Sequence, residues 1–139
     1  MSSGFRLFRY LIFLLPALAA TAAVRGQTPN TTSSDLPRFL VYFDEFSANL
    51  SDEAKGVIAD AAKRAKEAGS KEIVVQARAS ATGTAETNKY LAQTRSSIVT
   101  DELEADGIAR TMIHQEPIGQ TGSSDPTVYN RRVDIILQR

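Results

Sequence analysis

The segment Asn88-Lys-Tyr-Leu-Ala-Gln-Thr-Arg-Ser-Ser-Ile-Val99 decides the fold, because its pattern predicts the first half of a long amphipathic helix. Arg95 lies four residues after Leu91 and three before Ile98, which places it on the apolar stripe of that helix. A charge is not simply removed from water, so Arg95 must either extend its head group to the edge of the core or hold an anion. The segment alone leaves both possibilities open. The apolar stripe consists of Leu91, Ala92, Ile98 and Val99.

A first helix and two strands are predicted before this segment. Arg38–Phe43 and Glu72–Ala79 are rich in β-branched and apolar residues, as buried strands are. Between them, Ser51 is a suitable N-cap and Gly69 a suitable stop for a helix. Residues at helical spacing form the predicted core face of that helix, namely Ala54, Val57, Ile58, Ala61, Ala62 and Ala65.

Two further strands are predicted after the second helix, which spans about Glu86 to Ala105. A short third strand covers Thr111–His114, a loop with two glycines and two prolines runs from Glu116 to Pro126, and a last strand covers Arg131–Leu137. The order β-α-β-α-β-β predicts an α/β fold of the two-layer α+β sandwich type, with a mixed sheet packed on two helices.

Residues 1–26 have the features of a secretory signal peptide. Arg6 and Arg9 form a positive region, residues 10–20 form an apolar segment, and small residues suited to cleavage follow. The apolar run of about 15 residues is shorter than the roughly 20 that a spanning helix needs. We therefore predict an exported protein with no stable membrane span after signal cleavage, and an uncleaved N-terminal anchor is the alternative.

A polar linker is predicted between the signal peptide and the folded domain. Residues 27–37 read QTPNTTSSDLP, which offers almost nothing to bury. Such a composition is typical of a flexible tether. The folded domain is accordingly predicted at residues 38–139.

Composition argues against several classes of function. Lys plus Arg equals Asp plus Glu, at 16 each, so no basic bias toward nucleic acid exists. The absence of cysteine excludes a thiolate metal site, and a single histidine, His114, argues against a histidine-based one. Asp44 and Glu45 are adjacent and are predicted to be edge charges rather than a catalytic pair. We predict a protein that is not an enzyme and binds neither a metal nor a cofactor.

The motifs together resemble the OmpA-like C-terminal domain family over about residues 38 to 137. The matching motifs are Val41-Tyr-Phe-Asp44, Leu50-Ser-Asp-Glu-Ala54, the spacing of Asn88, Leu91, Arg95, Val99 and Leu103 followed by Gly107-Ile108, and Asn130-Arg-Arg-Val-Asp-Ile135. Domains of that family bind peptidoglycan non-covalently by gripping the diaminopimelate of the stem peptide. The resemblance therefore implies a periplasmic, cell-envelope protein that binds peptidoglycan and links the envelope to the cell wall.

The resemblance also implies a ligand site. Arg95 matches the family's arginine that takes the ligand's carboxylate, for which a planar guanidinium is well suited. Asn88 and Thr82 match polar contacts near the helix start. The ligand-binding residues that the resemblance implies are Ser80, Thr82, Asn88, Leu91, Arg95, Arg131 and Arg132.

One position departs from the family pattern. Ser80 stands where the family has an aspartate that pairs with the amine of the ligand, so the site is predicted to be degenerate and peptidoglycan binding weaker. Two alternatives follow. In the first, the fold serves as a periplasmic protein-interaction or structural domain with an envelope protein as partner. In the second, the pocket binds another anionic ligand through Arg78, Arg95 and Arg132.

Overall fold

The computed structural model describes residues 37–121 and 128–139 of the 139-residue chain. The predicted signal peptide and the predicted linker up to residue 36 lie outside this part. In chain order the elements are β1 (Arg38–Tyr42), α1 (Asp52–Ala68), β2 (Glu72–Ala79), α2 (Ala85–Ala105), β3 (Ile113–Gln120) and β4 (Arg132–Gln138). Short 3-10 turns at Arg110–Met112 and Val128–Asn130 precede β3 and β4.

Helix α1 begins and ends at the residues that its sequence predicts. The Ser51 hydroxyl accepts a hydrogen bond from the Ala54 backbone N–H at 3.1 Å, and acidic side chains follow in the first turn, where the helix dipole favours them. Gly69 ends the helix with a φ of 62°, a left-handed conformation in which glycine is favoured. The small residues of the predicted stripe are buried, so the helix lies close to the sheet.

The described strands form one mixed sheet in the order β1-β4-β2-β3. Strand β4 pairs antiparallel with both β1 and β2, and β2 pairs parallel with β3. Strands β1 and β2 therefore run in the same direction with β4 between them. This arrangement confirms the predicted two-layer fold with a mixed sheet, and it makes the last of the described strands a central one.

One face of the sheet packs against the two helices and forms the core. Along β4, Val133, Ile135 and Leu137 belong to the core, whereas Arg132, Asp134 and Ile136 alternate with them toward the helix-free face. Along β2, Ile73, Val75 and Ala77 face the helices in the same way. Consecutive residues of these strands therefore serve opposite faces of the sheet.

The third strand differs from the sequence prediction. Residues 110–112 form a 3-10 turn, and β3 runs from Ile113 to Gln120, which includes the first five residues of the segment predicted to be a loop. The register with β2 shifts where Ala77 pairs with Pro117 and Arg78 with Gly119, which leaves Ile118 as an extra residue. Strand β3 is an edge strand, where a proline is tolerated because its missing N–H is not needed on the outer side.

Within residues 37–121 and 128–139, neither helix combines the length and the apolar character that crossing a membrane requires.

Candidate functional site

Helix α2 carries polar residues on its buried face. Thr84 caps the helix by accepting a hydrogen bond from the Thr87 backbone N–H at 3.1 Å. The buried face then combines apolar residues with polar ones, and the polar members are Asn88, Arg95, Ser96 and Thr100. Polar groups are buried at a cost unless they are hydrogen-bonded, so the partners of these side chains identify what the helix holds in place.

Arg95 is fully buried, with 0% of its surface exposed, and its guanidinium bonds to three backbone carbonyls. Nε donates to the carbonyl of Ser47 at 2.8 Å, Nη2 to that of Asp44 at 2.8 Å, and Nη1 to that of Arg78 at 3.3 Å. The guanidinium carbon also lies 5.0 Å from the centre of the Phe43 ring, a cation–π distance. Arg95 thus joins the segment after β1 to the end of β2.

The charge of Arg95 has no carboxylate partner in the described part of the chain. Its three hydrogen bonds go to neutral carbonyls, which use three of the five N–H groups that a guanidinium offers. Burial, with a further contribution from the positive charge of Arg131, lowers the pKa of Arg95 to about 10. The side chain is still protonated at neutral pH, and a nearby anion would stabilise it.

The loop between β2 and α2 is closed by side chains that the sequence places in the candidate site. The Ser80 hydroxyl accepts a hydrogen bond from the Thr82 backbone N–H at 3.0 Å and donates to the Thr82 hydroxyl at 2.9 Å. Asn88 Nδ2 donates to the carbonyl of Thr82 at 3.0 Å. These bonds fix the loop against the first turn of α2.

A small cleft lies where this loop, α2 and the segment after β1 meet. It encloses about 180 Å³ of empty space, part of which is open solvent. Its lining residues are Glu45, Phe46, Ser80, Thr82, Asn88, Leu91, Arg95 and Arg131. The structure therefore brings together six of the seven candidate residues from the sequence.

Arg132, the seventh candidate, lies elsewhere. Its Nε donates to a carboxylate oxygen of Asp134 at 2.7 Å, and Arg78 Nη1 donates to the other oxygen of that carboxylate at 2.5 Å. Asp134 is fully buried, and Arg38 lies 3.5 Å from it as a further partner. Arg78 and Arg132 thus neutralise a carboxylate on the helix-free face of the sheet, away from the residues that line the cleft.

Sequence reasoning missed two residues of the cleft, Glu45 and Phe46. Strand β1 ends at Tyr42, so Asp44 and Glu45, which were predicted to be edge charges, lie beyond the strand. Instead the Ser47 backbone N–H donates to the carbonyl of Asp44 at 3.2 Å, which closes a turn around Glu45 and Phe46. Phe46 has a φ of 55°, and the sequence contains no glycine or asparagine that would have indicated a turn there.

The described residues contain no group of three or more His, Cys, Asp or Glu side chains that could hold a metal ion. The charged side chains that line the cleft are two arginines and one glutamate. Such a set suits a ligand that carries a carboxylate beside a second polar group.

The fold and the cleft define the protein as an OmpA-like α+β domain, with a mixed sheet on two helices and a buried arginine lining a cleft. The model of the OmpA family matches residues 42–133. The chain therefore belongs to the OmpA family, which confirms the resemblance inferred from its motifs.

Solved structures are similar to the chain. The peptidoglycan-associated lipoprotein from Burkholderia pseudomallei is 24% identical, with a TM-score of 0.62 over 72% of this chain and 90% of that one. The OmpA-like domain of FopA1 from Francisella tularensis subsp. tularensis is 19% identical, with a TM-score of 0.64 over 73% of this chain and 71% of that one. The C-terminal domain of Helicobacter pylori MotB is 19% identical, with a TM-score of 0.60 over 75% and 85%. These likenesses support the fold. No curated protein sequence matches the chain significantly.

Proposed function

We propose that the protein is an exported, non-catalytic module that binds peptidoglycan through diaminopimelate of the stem peptide and so links the cell envelope to the wall. Membership of the OmpA family supports this proposal. So does the structural likeness to a protein named as a peptidoglycan-associated lipoprotein. A periplasmic location is part of the same proposal, because the wall lies there.

The observation that carries the proposal is the uncompensated charge of Arg95. Three neutral carbonyls hold its guanidinium, and no carboxylate in the described residues pairs with it. A buried charge is usually paired, so a cation held in place without a counter-ion is prepared for an anionic ligand. The second carboxylate of diaminopimelate has the planar geometry that a guanidinium binds best.

Access to Arg95 requires the cleft to widen. The side chain has no exposed surface, although it lines the cleft. Phe46 is an exposed apolar side chain of the lining, with 64% of its surface accessible, so it can rotate away without opening the core. A carboxylate then reaches the N–H groups of Nη1 and Nη2 that the carbonyls leave unused.

The test compares two stem peptides that differ by one carboxylate. A stem peptide with lysine in place of diaminopimelate lacks only the carboxylate that we assign to Arg95. The purified exported protein should bind the diaminopimelate peptide at least about tenfold more tightly in a calorimetric titration, because the lysine peptide forfeits a charge-assisted hydrogen bond. Cosedimentation with insoluble peptidoglycan of the two types should show the same preference.

Three results would contradict this proposal. Equal affinity for both peptides would show that Arg95 does not bind the additional carboxylate of diaminopimelate. Absence of binding to either peptide, in a protein whose circular dichroism shows it folded, would favour the fold's use as a protein-interaction or structural domain. Binding of simple dicarboxylates as tightly as diaminopimelate would favour another anionic ligand.

Export is tested separately. The signal features of residues 1–26 predict cleavage before or at the start of the linker. The intact mass of the exported protein should match a chain lacking that segment. A full-length species extracted from membranes would instead indicate an uncleaved anchor.

A further inference from the structure

Glu45 is the single carboxylate among the described residues that line the cleft. The other charged lining residues are Arg95 and Arg131, so the cleft presents two positive groups and one negative group. The end of a diaminopimelate side chain presents the complementary pair, a carboxylate and an ammonium on one carbon. Ser80 lines the same cleft, but its hydroxyl already donates to Thr82 and accepts from the Thr82 N–H.

The backbone around Glu45 is held in place by Arg95. Nη2 of Arg95 binds the carbonyl of Asp44, and Nε binds the carbonyl of Ser47, each at 2.8 Å. These two carbonyls flank Glu45 and Phe46 in the turn that the Ser47 N–H closes. The guanidinium that we assign to the ligand's carboxylate therefore also fixes the segment that carries the acidic side chain.

The turn is strained in a way that places Glu45 at the cleft. Phe46 occupies the third position of the turn with a φ of 55°, a conformation that is unfavourable for a non-glycine residue. Such strain persists only where surrounding contacts determine the conformation, and here the bonds from Arg95 do so. A relaxed backbone at this turn would not be expected to keep the same side-chain directions.

The Glu45 carboxylate is available to a ligand. Within residues 37–121 and 128–139 it takes part in no hydrogen bond or ion pair, although Arg131 lines the same cleft. An exposed carboxylate without a partner loses no internal contact when it binds an ammonium group. Nothing in the described structure has to be broken for it to act.

We infer that Glu45 receives the ammonium group of the ligand, so that the cleft reads a carboxylate and an amine together. This inference rests on the proposed function and assigns the second half of the recognition. A carboxylate placed at position 80 would lie in the same cleft and could take over the same contact. A carboxylate at either position 45 or position 80 would therefore be able to bind the ammonium group.

The experiment uses two ligands and four proteins. The ligands are a diaminopimelate stem peptide with its distal amine free and the same peptide with that amine acetylated. Wild type should prefer the free amine by about tenfold, and Glu45→Gln should lose that preference while binding the acetylated peptide as wild type does. Ser80→Asp added to Glu45→Gln should restore it. Glu53→Gln, which removes an exposed carboxylate of α1 outside the lining of the cleft, should behave as wild type.

The outcomes separate the two proposals. Unchanged preference in Glu45→Gln overturns the role of Glu45 and leaves peptidoglycan binding intact. Wild type that binds both peptides equally overturns it as well, without any variant. Wild type that binds neither peptide overturns the proposed function and this inference together.

Discussion

Arg95 is bonded to the backbone of Asp44 and not to its carboxylate. Nη2 of Arg95 donates to the main-chain carbonyl of Asp44 at 2.8 Å, and no ion pair joins the two side chains. A carboxylate partner would neutralise the guanidinium within the protein. A carbonyl partner holds it in place and leaves its charge for another anion, so the same bond serves the fold and the site.

Removing the Arg95 side chain should destabilise the fold. Arg95→Ala leaves three carbonyls without a donor and creates a cavity, so we expect the free energy of unfolding to fall by about 3–6 kcal/mol. Arg95→Lys keeps the charge and one donor and should lose about 1–3 kcal/mol. Urea denaturation measures both. Arg64→Ala, which removes an exposed partner of Glu67, should stay within about 0.5 kcal/mol of wild type. A loss in Arg95→Ala no larger than in this control would show that the carbonyl contacts contribute little.

The pKa of Arg95, about 10, predicts how ligand binding responds to pH. The folded protein releases this proton at lower pH than the unfolded chain, so the contribution of Arg95 to stability is unfavourable below pH 10 and diminishes as pH rises through that value. A bound carboxylate raises the pKa again. Binding of a peptide whose distal and N-terminal amines are both acetylated should therefore take up no proton at pH 7 and a fraction of one near pH 10. Calorimetry in buffers of different ionisation enthalpy measures this uptake. Equal uptake at both pH values would contradict the assignment.

The buried carboxylate of Asp134 should matter more to stability than its most exposed partner. Asp134→Ala leaves Arg78 and Arg132 without their counter-ion, and breaking a buried pair costs about 3–5 kcal/mol. Arg38→Ala removes a guanidinium 3.5 Å away whose side chain is 54% exposed, and should cost less than about 1 kcal/mol. Thermal and urea unfolding of the two variants test the difference. Similar losses in both would contradict this ranking and would mean that the exposed pair with Arg38 provides most of the stability that Asp134 contributes.

Two glycines should respond to alanine in opposite directions. Gly56 lies in α1 with no atom within 4 Å of an added Cβ, so Gly56→Ala should stabilise the protein by about 0.5–1 kcal/mol. Gly119 has a φ of 77°, and an added Cβ would lie 3.4 Å from the Lys89 Cα, so Gly119→Ala should destabilise it by about 1–3 kcal/mol. Melting temperatures of the two variants give the comparison. A stable Gly119→Ala protein would show that β3 can shift away from α2.

The elements with strong local signals were predictable from the sequence. Ser51 and Gly69 mark the ends of α1 through a side-chain cap and a left-handed φ, and both effects act within a few residues. The extension of β3 to Gln120 was missed because Pro117 and Gly119 are loop signals in isolation. They are tolerated there because the strand is at an edge and carries a bulge, which are properties of the sheet and not of the segment.

The candidate site was predictable where one helix and its preceding loop carry it. Spacing along α2 relates Asn88, Leu91 and Arg95, and all three line the cleft. The sequence could not show which of Arg131 and Arg132 lines the cleft. Neighbouring residues of a strand point to opposite faces, so the answer depends on where β4 begins. Glu45 could not be found because a positive φ at Phe46 has no sequence signal.

The central position of β4 constrains the order in which the molecule can assemble. Strands β1 and β2 are complete by residue 79, yet in the described sheet β1 has no partner, and β2 keeps one open edge, until residues 132–138 are available. A chain emerging from the ribosome therefore cannot close this sheet before residues 132–138 have been synthesised, and distant pairing of this kind is slow. We propose that this protein passes through a membrane translocon. The delay then keeps the chain unfolded during translocation, so that it folds after it has crossed the membrane.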